Sequence, residues 1–228
     1  MNPFVFTAPP TPTLSIRGTS AAFPVRRVYC IGRNYAAHSI EMGGNPDREE
    51  PFFFQKNPDN LVQDGRFPYP PQTGDVHHEV EMVVALKSGG TDTAVQEALA
   101  HVYGYAIGLD MTRRDLQNAM KTARRPWEIA KAFEHSGPLS EIVPVETCGH
   151  PHEADITLLV NGEERQSSNT NQMIWKVPEM IAYLSRHYRL AAGDVIMTGT
   201  PAGVGPVRRG DVMVAKLEGV AQVEVAVV

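Results

Sequence analysis

The stretch His77-His78-Glu79-Val80-Glu81-Met82-Val83-Val84-Ala85-Leu86 decides how the rest of the chain is read. Val80, Met82 and Val84 alternate with Glu79, Glu81 and Val83, which is the period of a β-strand. On a strand Glu79 and Glu81 project from one face, whereas on a helix they would lie on nearly opposite sides. Two carboxylates side by side at the start of an apolar run repel each other unless a positive charge sits between them. A hard divalent cation takes such oxygen ligands. The same residues also fit an edge strand with a wet acidic face, and the stretch by itself leaves both readings open.

The surroundings narrow the class. The chain has 228 residues, 42% of them hydrophobic and 21% charged, ordinary values for a globular protein. A net charge of −5 and the lack of any basic run argue against nucleic acid as a partner. No apolar stretch approaches the roughly 18 residues of a membrane span. The N-terminus has no basic segment followed by an apolar one, so no secretory signal is read there. Cys30 and Cys148 are the only cysteines and lie far apart, which suits a reducing, cytoplasmic setting without disulfides.

Residues 1–22, rich in Pro, Thr and Ser, read as an extended N-terminal arm or a short edge strand. With no internal repeat and no linker, residues 23–228 read as a single domain. A strand is expected from Val25 through Ile31, then a short helix from Asn34 to Met42, capped by Asn34 and closed by Gly43-Gly44. His38 and Glu41 are three apart and share that helix's face. They fit a base held by its orienting carboxylate, or a surface ion pair. Phe52-Phe53-Phe54 reads as a short buried strand, with Lys56 directly after it.

Further along, residues 93–103 suit a helix, and Tyr103 to Leu109 a second buried strand ending in Asp110. Asp110 stands where a ligand is often found, or else caps the turn. Thr112 to Asp115 resembles a capping pattern for a helix that carries Arg114 and Gln117 on one face. Lys131, set between alanines, suits an ammonium that stabilises a developing oxyanion, or one that snorkels from a core edge. From residue 154 the pattern is mainly β, with Asn161-Gly162 as a type I′ hairpin turn. Pro178 opens an amphipathic helix. Val195 to Thr198 is a strand that runs into Gly199-Thr200-Pro201, and two strands, 212–217 and 220–227, close the chain. The glycines after Thr198 do not form a phosphate loop, because no Gly-Lys-Ser/Thr is present. His150 and His152, without a metal-ligating partner nearby, read as a solvent loop.

Taken together, five ordered motifs carry a resemblance. They are Gly32-Arg33-Asn34-Tyr35 with His38 and Glu41; His78-Glu79-Val80-Glu81; and Leu109-Asp110-Met111-Thr112 with Arg114 and Gln117. Ala130-Lys131-Ala132-Phe133 and Thr198-Gly199-Thr200-Pro201 complete the set. The chain over residues 24–228 resembles the fumarylacetoacetate hydrolase family in its compact form. That resemblance implies an α+β, mostly β fold of layered mixed sheets of the family's C-terminal-domain type. It also implies a homodimer and a bound Mg²⁺ or Mn²⁺ held by Glu79, Glu81 and Asp110.

Within the family the chain looks most like enzymes that hydrolyse fumarylpyruvate in gentisate breakdown, and like acylpyruvases. Pro51-Phe52-Phe53-Phe54, Pro68-Tyr69-Pro70 and Arg124-Arg125-Pro126-Trp127-Glu128 carry that likeness. One departure is Asn57 directly after Lys56, where relatives usually have proline. The resemblance assigns water activation to the His38–Glu41 pair, and oxyanion stabilisation or diketone positioning to Lys131 and Gln117. It assigns substrate binding to Arg33, Tyr35, Lys56, Arg114 and Thr200. The far carboxylate of fumarylpyruvate needs a cation, and Arg124 or Arg125 is expected there. Oxaloacetate decarboxylases and isomerases share the core motifs, so a decarboxylase or isomerase is the alternative.

Overall fold

Residues Val80–Leu86 are buried on both faces, which removes the reading of an edge strand with a wet side. The computed structural model describes residues 4–36 and 50–228. In chain order it opens with β1 Thr13–Ser15, β2 Ala22–Pro24, β3 Arg27–Gly32 and β4 Phe52–Lys56. Short strands β5 Leu61–Val62, β6 Arg66–Phe67 and β7 Val76–His78 lead into β8 Val80–Leu86. Helix α1 Val95–Ala98, β9 Val102–Leu109, β10 Thr112–Arg113, α2 Arg114–Ala123 and α3 Glu128–Lys131 follow. Then come β11 Gly137–Pro138, β12 Val143–Pro144, α4 Val145–Cys148, β13 Asp155–Val160, β14 Glu163–Asn169 and α5 Val177–His187. The chain closes with β15 Asp194–Met197, β16 Gly205–Val207, β17 Val212–Leu217 and β18 Ala221–Val227.

Two sheets form the body. A six-stranded mixed sheet has the order β12-β9-β8-β15-β3-β4, and a five-stranded one the order β14-β13-β17-β18-β6. Strand alternation divides β8 between two cores. Val80, Met82, Val84 and Leu86 join a cluster with Ile156, Leu158, Met213 and Ala215 of the five-stranded sheet, and with Met180, Ile181 and Leu184 of α5. Val83 and Ala85 join a second cluster with Val28, Cys30, Val195 and Met197. Leu14 of β1 and Phe23 of β2 belong to that second cluster as well. Each fully buried large apolar side chain stabilises by about 1.5–3 kcal/mol, so β8 is held from both sides. The architecture is α+β and mostly β, in layered mixed sheets, as the sequence predicts.

Several local expectations shift. Phe52–Phe54 lies in β4 at the sheet's edge, with Phe52 exposed and Phe53 and Phe54 half-buried. The expected helix over 93–103 is α1 plus a single 3₁₀ turn, Leu99–His101, because β9 starts by Val102. Thr112 is in strand rather than at a helix cap, and α2 begins at Arg114 without a side-chain cap. Asp115 instead accepts from the Thr73 hydroxyl at 2.6 Å and the Gly74 N–H at 3.0 Å. The Asn161-Gly162 turn has φ of 53° and 81°, the two left-handed residues that a type I′ hairpin requires. Among the described residues no helix is long and apolar enough to cross a membrane. The expected helix carrying His38 and Glu41 lies outside the described residues.

Candidate active site

Glu79 occupies the single-residue gap between β7 and β8, where the chain leaves a small sheet, β10-β7-β16, for the six-stranded one. Asp110 follows β9 directly. Because Val80 pairs with Leu109, Asp110 emerges opposite Glu79, and its N–H donates to the Glu79 carbonyl at 2.8 Å. Glu81 lies one residue into β8. One oxygen from each of the three carboxylates lies within 4.8 Å of the others, and all three residues are buried. Backbone register alone produces this convergence.

Three buried carboxylates need compensation, since an unpaired buried charge costs several kcal/mol. Lys131 Nζ lies 2.8 Å from Glu79 Oε2 and 2.7 Å from Asp110 Oδ2. Arg114 Nη2 donates to Glu79 Oε1 at 2.5 Å, and its Nη1 donates to Gln117 Oε1. Lys56 Nζ lies 2.9 Å from Asp110 Oδ1, without the alignment of a hydrogen bond, and donates to Ser136 Oγ and the Lys131 carbonyl. Burial on its own would lower the Lys131 pKa, but the Asp110 and Glu79 carboxylates outweigh it and hold it up.

Glu81 is the exception. It accepts one backbone hydrogen bond, from Gly199 N–H at 2.9 Å. Burial first, then the charges of Asp110 and Glu79, push its pKa well above the usual carboxylate range. The donor set therefore fits a hard divalent cation: it is all oxygen, it converges, and its mutual repulsion is relieved by added positive charge.

A solvent-open cleft, about 420 Å³ with the open solvent at its mouth included, lies over these carboxylates. Among the expected site residues, Arg33, Arg114, Gln117, Lys131 and Thr200 line it together with Glu79, Glu81 and Asp110. His38 and Glu41 lie outside the described residues, and the other expected residues lie elsewhere. Lys56 is beneath the floor, paired to Asp110. Tyr35 is buried next to Pro201 and Ala202, and its hydroxyl has no hydrogen-bond partner among the described residues. Arg124 and Arg125 do not line the cavity: both side chains are exposed, and Arg124, at φ 53°, terminates α2. Arg124 is only seven positions before Lys131, but the left-handed turn at the helix end carries the arginines outward.

Other residues were not expected. Lys121, Phe54 and Trp127 also line the cavity, with Phe52. Lys121 falls at i+7 from Arg114 and i+4 from Gln117, so the helical stripe already noted would have reached it. Gln166, buried in β14, ties the site to the second sheet. Its Oε1 lies 3.0 Å from both His78 Nδ1 and Val80 N, and its Nε2 donates to Thr200 Oγ1 and the Pro201 carbonyl. Asn34 caps nothing that is described; it donates to the carbonyls of Trp175 and Thr198 and accepts from Trp175 N–H. No local pattern in the sequence marks Gln166, and reading Asn34 as a helix cap gives no sign of these distant partners.

Comparison with known proteins places this geometry. Residues 27–228 match the family described as fumarylacetoacetate (FAA) hydrolase C-terminal. The crystal structure of fumarylpyruvate hydrolase from Pseudomonas aeruginosa in complex with Mn²⁺ and pyruvate is 48% identical, with a TM-score of 0.97 over 99% of each chain. A fumarylpyruvate hydrolase from Ralstonia sp is 44% identical over 78% of this chain and 93% of its own. The oxaloacetate tautomerase YcgM of Escherichia coli (strain K12) is also 44% identical, over 89% of this chain and 93% of its own.

Proposed function

Because the chain belongs to the fumarylacetoacetate hydrolase family, we propose that it hydrolyses a 2,4-diketo acid, fumarylpyruvate, to fumarate and pyruvate with Mg²⁺ or Mn²⁺. The observation that carries this reading is one cavity with a converging buried carboxylate triad at its floor and cationic and aromatic side chains around it. Likeness to the Pseudomonas aeruginosa structure, a complex with Mn²⁺ and pyruvate, supports the same choice.

Glu79, Glu81 and Asp110 would hold the cation. When bound it supplies Lewis acidity to the 2-oxo acid end of the substrate. Arg114 orients two groups at once, bracing Glu79 and fixing Gln117 by donating to its Oε1, so the amide N–H₂ end is left for substrate. In the reaction, water oxygen bonds to the C4 carbonyl carbon. The C3–C4 bond then breaks, its electron pair leaves on C3 as the enolate of pyruvate, and that carbon is protonated. Gln117 and Lys131 stabilise the negative charge that develops on the C4 oxygen. His38, oriented by Glu41, accepts the proton from water; both lie outside the described residues and are assigned by their sequence motif. Replacing either costs roughly 10²–10⁴-fold in hydrolysis, the usual size for general base catalysis.

The E. coli tautomerase, at the same identity as the Ralstonia enzyme, supports a second reading, tautomerisation of oxaloacetate at the same triad, and an oxaloacetate decarboxylase among the relatives, 38% identical, supports decarboxylation there. Turnover of fumarylpyruvate, acetylpyruvate and oxaloacetate with Mg²⁺ or Mn²⁺ separates the two. Pyruvate released from fumarylpyruvate, and lost in His38→Ala, supports hydrolysis; action on oxaloacetate alone overturns it. We propose a cytoplasmic homodimer, supported by the family resemblance and by exposed Phe4, Val5, Phe6 and Ile129. Light scattering should give twice the 25.0 kDa of one chain.

A further inference from the structure

The cations around the cavity divide into two kinds. Arg114 and Lys131 are paired with the carboxylates of the triad. Lys121 and Arg33 have no carboxylate partner among the described residues; each lies over an aromatic ring instead. Lys121 Nζ is 5.2 Å from the centre of the Trp127 ring, and the Arg33 guanidinium is 5.8 Å from that of Phe52. Phe52 meets Trp127 edge to face at 5.5 Å, so the four side chains form one continuous wall. All four line the same cavity as the triad.

Their position along that wall follows from helix geometry. Arg114, Gln117 and Lys121 form a single stripe on α2 at i, i+3 and i+7. Arg114 touches Glu79 at the triad. At 1.5 Å per residue, Lys121 is placed about 10 Å further along the helix axis. A site for a linear diacid needs an anchor at one end and an unpaired cation at such a remove. It also needs a flat apolar wall between them if the middle of the ligand is conjugated. Lys121 is half-buried and its charge is crowded: burial first, then the neighbouring Arg114 and Arg33, lower its pKa. An incoming carboxylate relieves that crowding.

We infer that Lys121, assisted by Arg33, binds the far carboxylate of a long 2-oxo diacid whose 2-oxo end sits at the triad. This inference rests on the diketo-acid reading of the site and names the group that selects among its substrates. A seven-carbon diacid such as fumarylpyruvate reaches Lys121. Four-carbon oxaloacetate does not, because its second carboxylate stays near the triad. Trp127, Phe52 and the stem of Lys121 then flank the planar enoyl carbons.

The test uses ligands that this chemistry does not cleave, so that binding is read without turnover. With Mn²⁺ present, calorimetry compares 2-oxoheptanedioate with 2-oxoheptanoate, a pair that differs only in the far carboxylate. Wild type should prefer the diacid by tenfold or more. Lys121→Met should reduce that ratio at least tenfold, and Lys121→Arg should keep most of it. In parallel, the ratio of kcat/KM for fumarylpyruvate over acetylpyruvate should fall in Lys121→Met, chiefly through KM. A wild-type protein with no preference for the diacid, or a ratio unchanged in Lys121→Met, overturns the assignment. Failure of wild type to cleave fumarylpyruvate would overturn the proposed function instead, while the binding ratio still decides the role of Lys121.

Discussion

Lys131 bridges Glu79 and Asp110 at 2.8 and 2.7 Å while buried with them, so its charge holds the floor of the site together. Removing one partner from a buried ion pair costs about 3–5 kcal/mol. In protein stripped of divalent cations, Lys131→Met should therefore melt on the order of 10 °C below wild type, given about 2–4 °C per kcal/mol at this size. Excess Mn²⁺ should recover much of that loss by supplying positive charge to the same carboxylates, without recovering turnover. Thermal melts with and without Mn²⁺ check this, and a variant as stable as wild type in chelator would show that the lysine is not needed there. Glu81 differs in sign, because repulsion is built into its position. Glu81→Gln should leave the stripped protein as stable as wild type or more so. At a hundredfold excess over Kd, Mn²⁺ stabilises wild type by about 2.7 kcal/mol. The glutamine variant should lose most of that increment, read by calorimetric titration and melting together.

At the scale of elements, the turn after β15 and strand β14 decide the shape of the site. Gly199 has φ +92°, and a Cβ there would meet Asn34 Cβ at 2.7 Å and the Ile31 carbonyl at 3.1 Å. Its N–H is the donor to Glu81. Gly199→Ala combines strain with overlap, and should cost roughly 2 kcal/mol or more in urea unfolding while weakening Mn²⁺ binding. Gln166→Leu should act through polar loss. It leaves His78, the Val80 N–H and the Thr200 hydroxyl without their partner, at about 1–3 kcal/mol for each buried group that stays unsatisfied. A loss below 1 kcal/mol in the same measurement would mean that water or a rearranged turn replaces the amide. The strand period revealed β8 and the Asn-Gly turn revealed the β13–β14 hairpin, because both are local patterns. The roles of Gln166 and Asn34 were hidden. An isolated amide carries no periodicity, and its partners are 34 to 164 residues away.

The whole molecule rests on two cores that share one sheet. Residues 1–22 read in composition as an extended arm or short edge strand, and in the structure Leu14 of β1 is 1% exposed and packs in the cluster that holds Val83, Cys30 and Met197. Leu14→Ala should therefore destabilise by about 2–5 kcal/mol, the range for a large-to-small change in a core. Chemical denaturation measures it, and a change within 0.5 kcal/mol, the usual range for a surface position, would return the segment to the role of an arm.

By itself the sequence determined the mainly β pattern after residue 154, the strand with its two glutamates, the acid at the end of a second strand and the helix stripe of Arg114 and Gln117. Each of these is written in neighbouring residues, where period and end signals suffice. Tertiary structure alone decided that β8 is central and buried on both faces, since apolar residues on a strand do not say how many sheets will cover them. It also decided which cations compensate the triad and which are left over. Lys56 went beneath the floor, Arg124 and Arg125 turned outward at the end of α2, and Lys121 came to face the cavity with Arg33. Spacing along the chain orders such residues on one element, but whether a long charged side chain meets a carboxylate, a ring or water depends on the strands and helices packed against it.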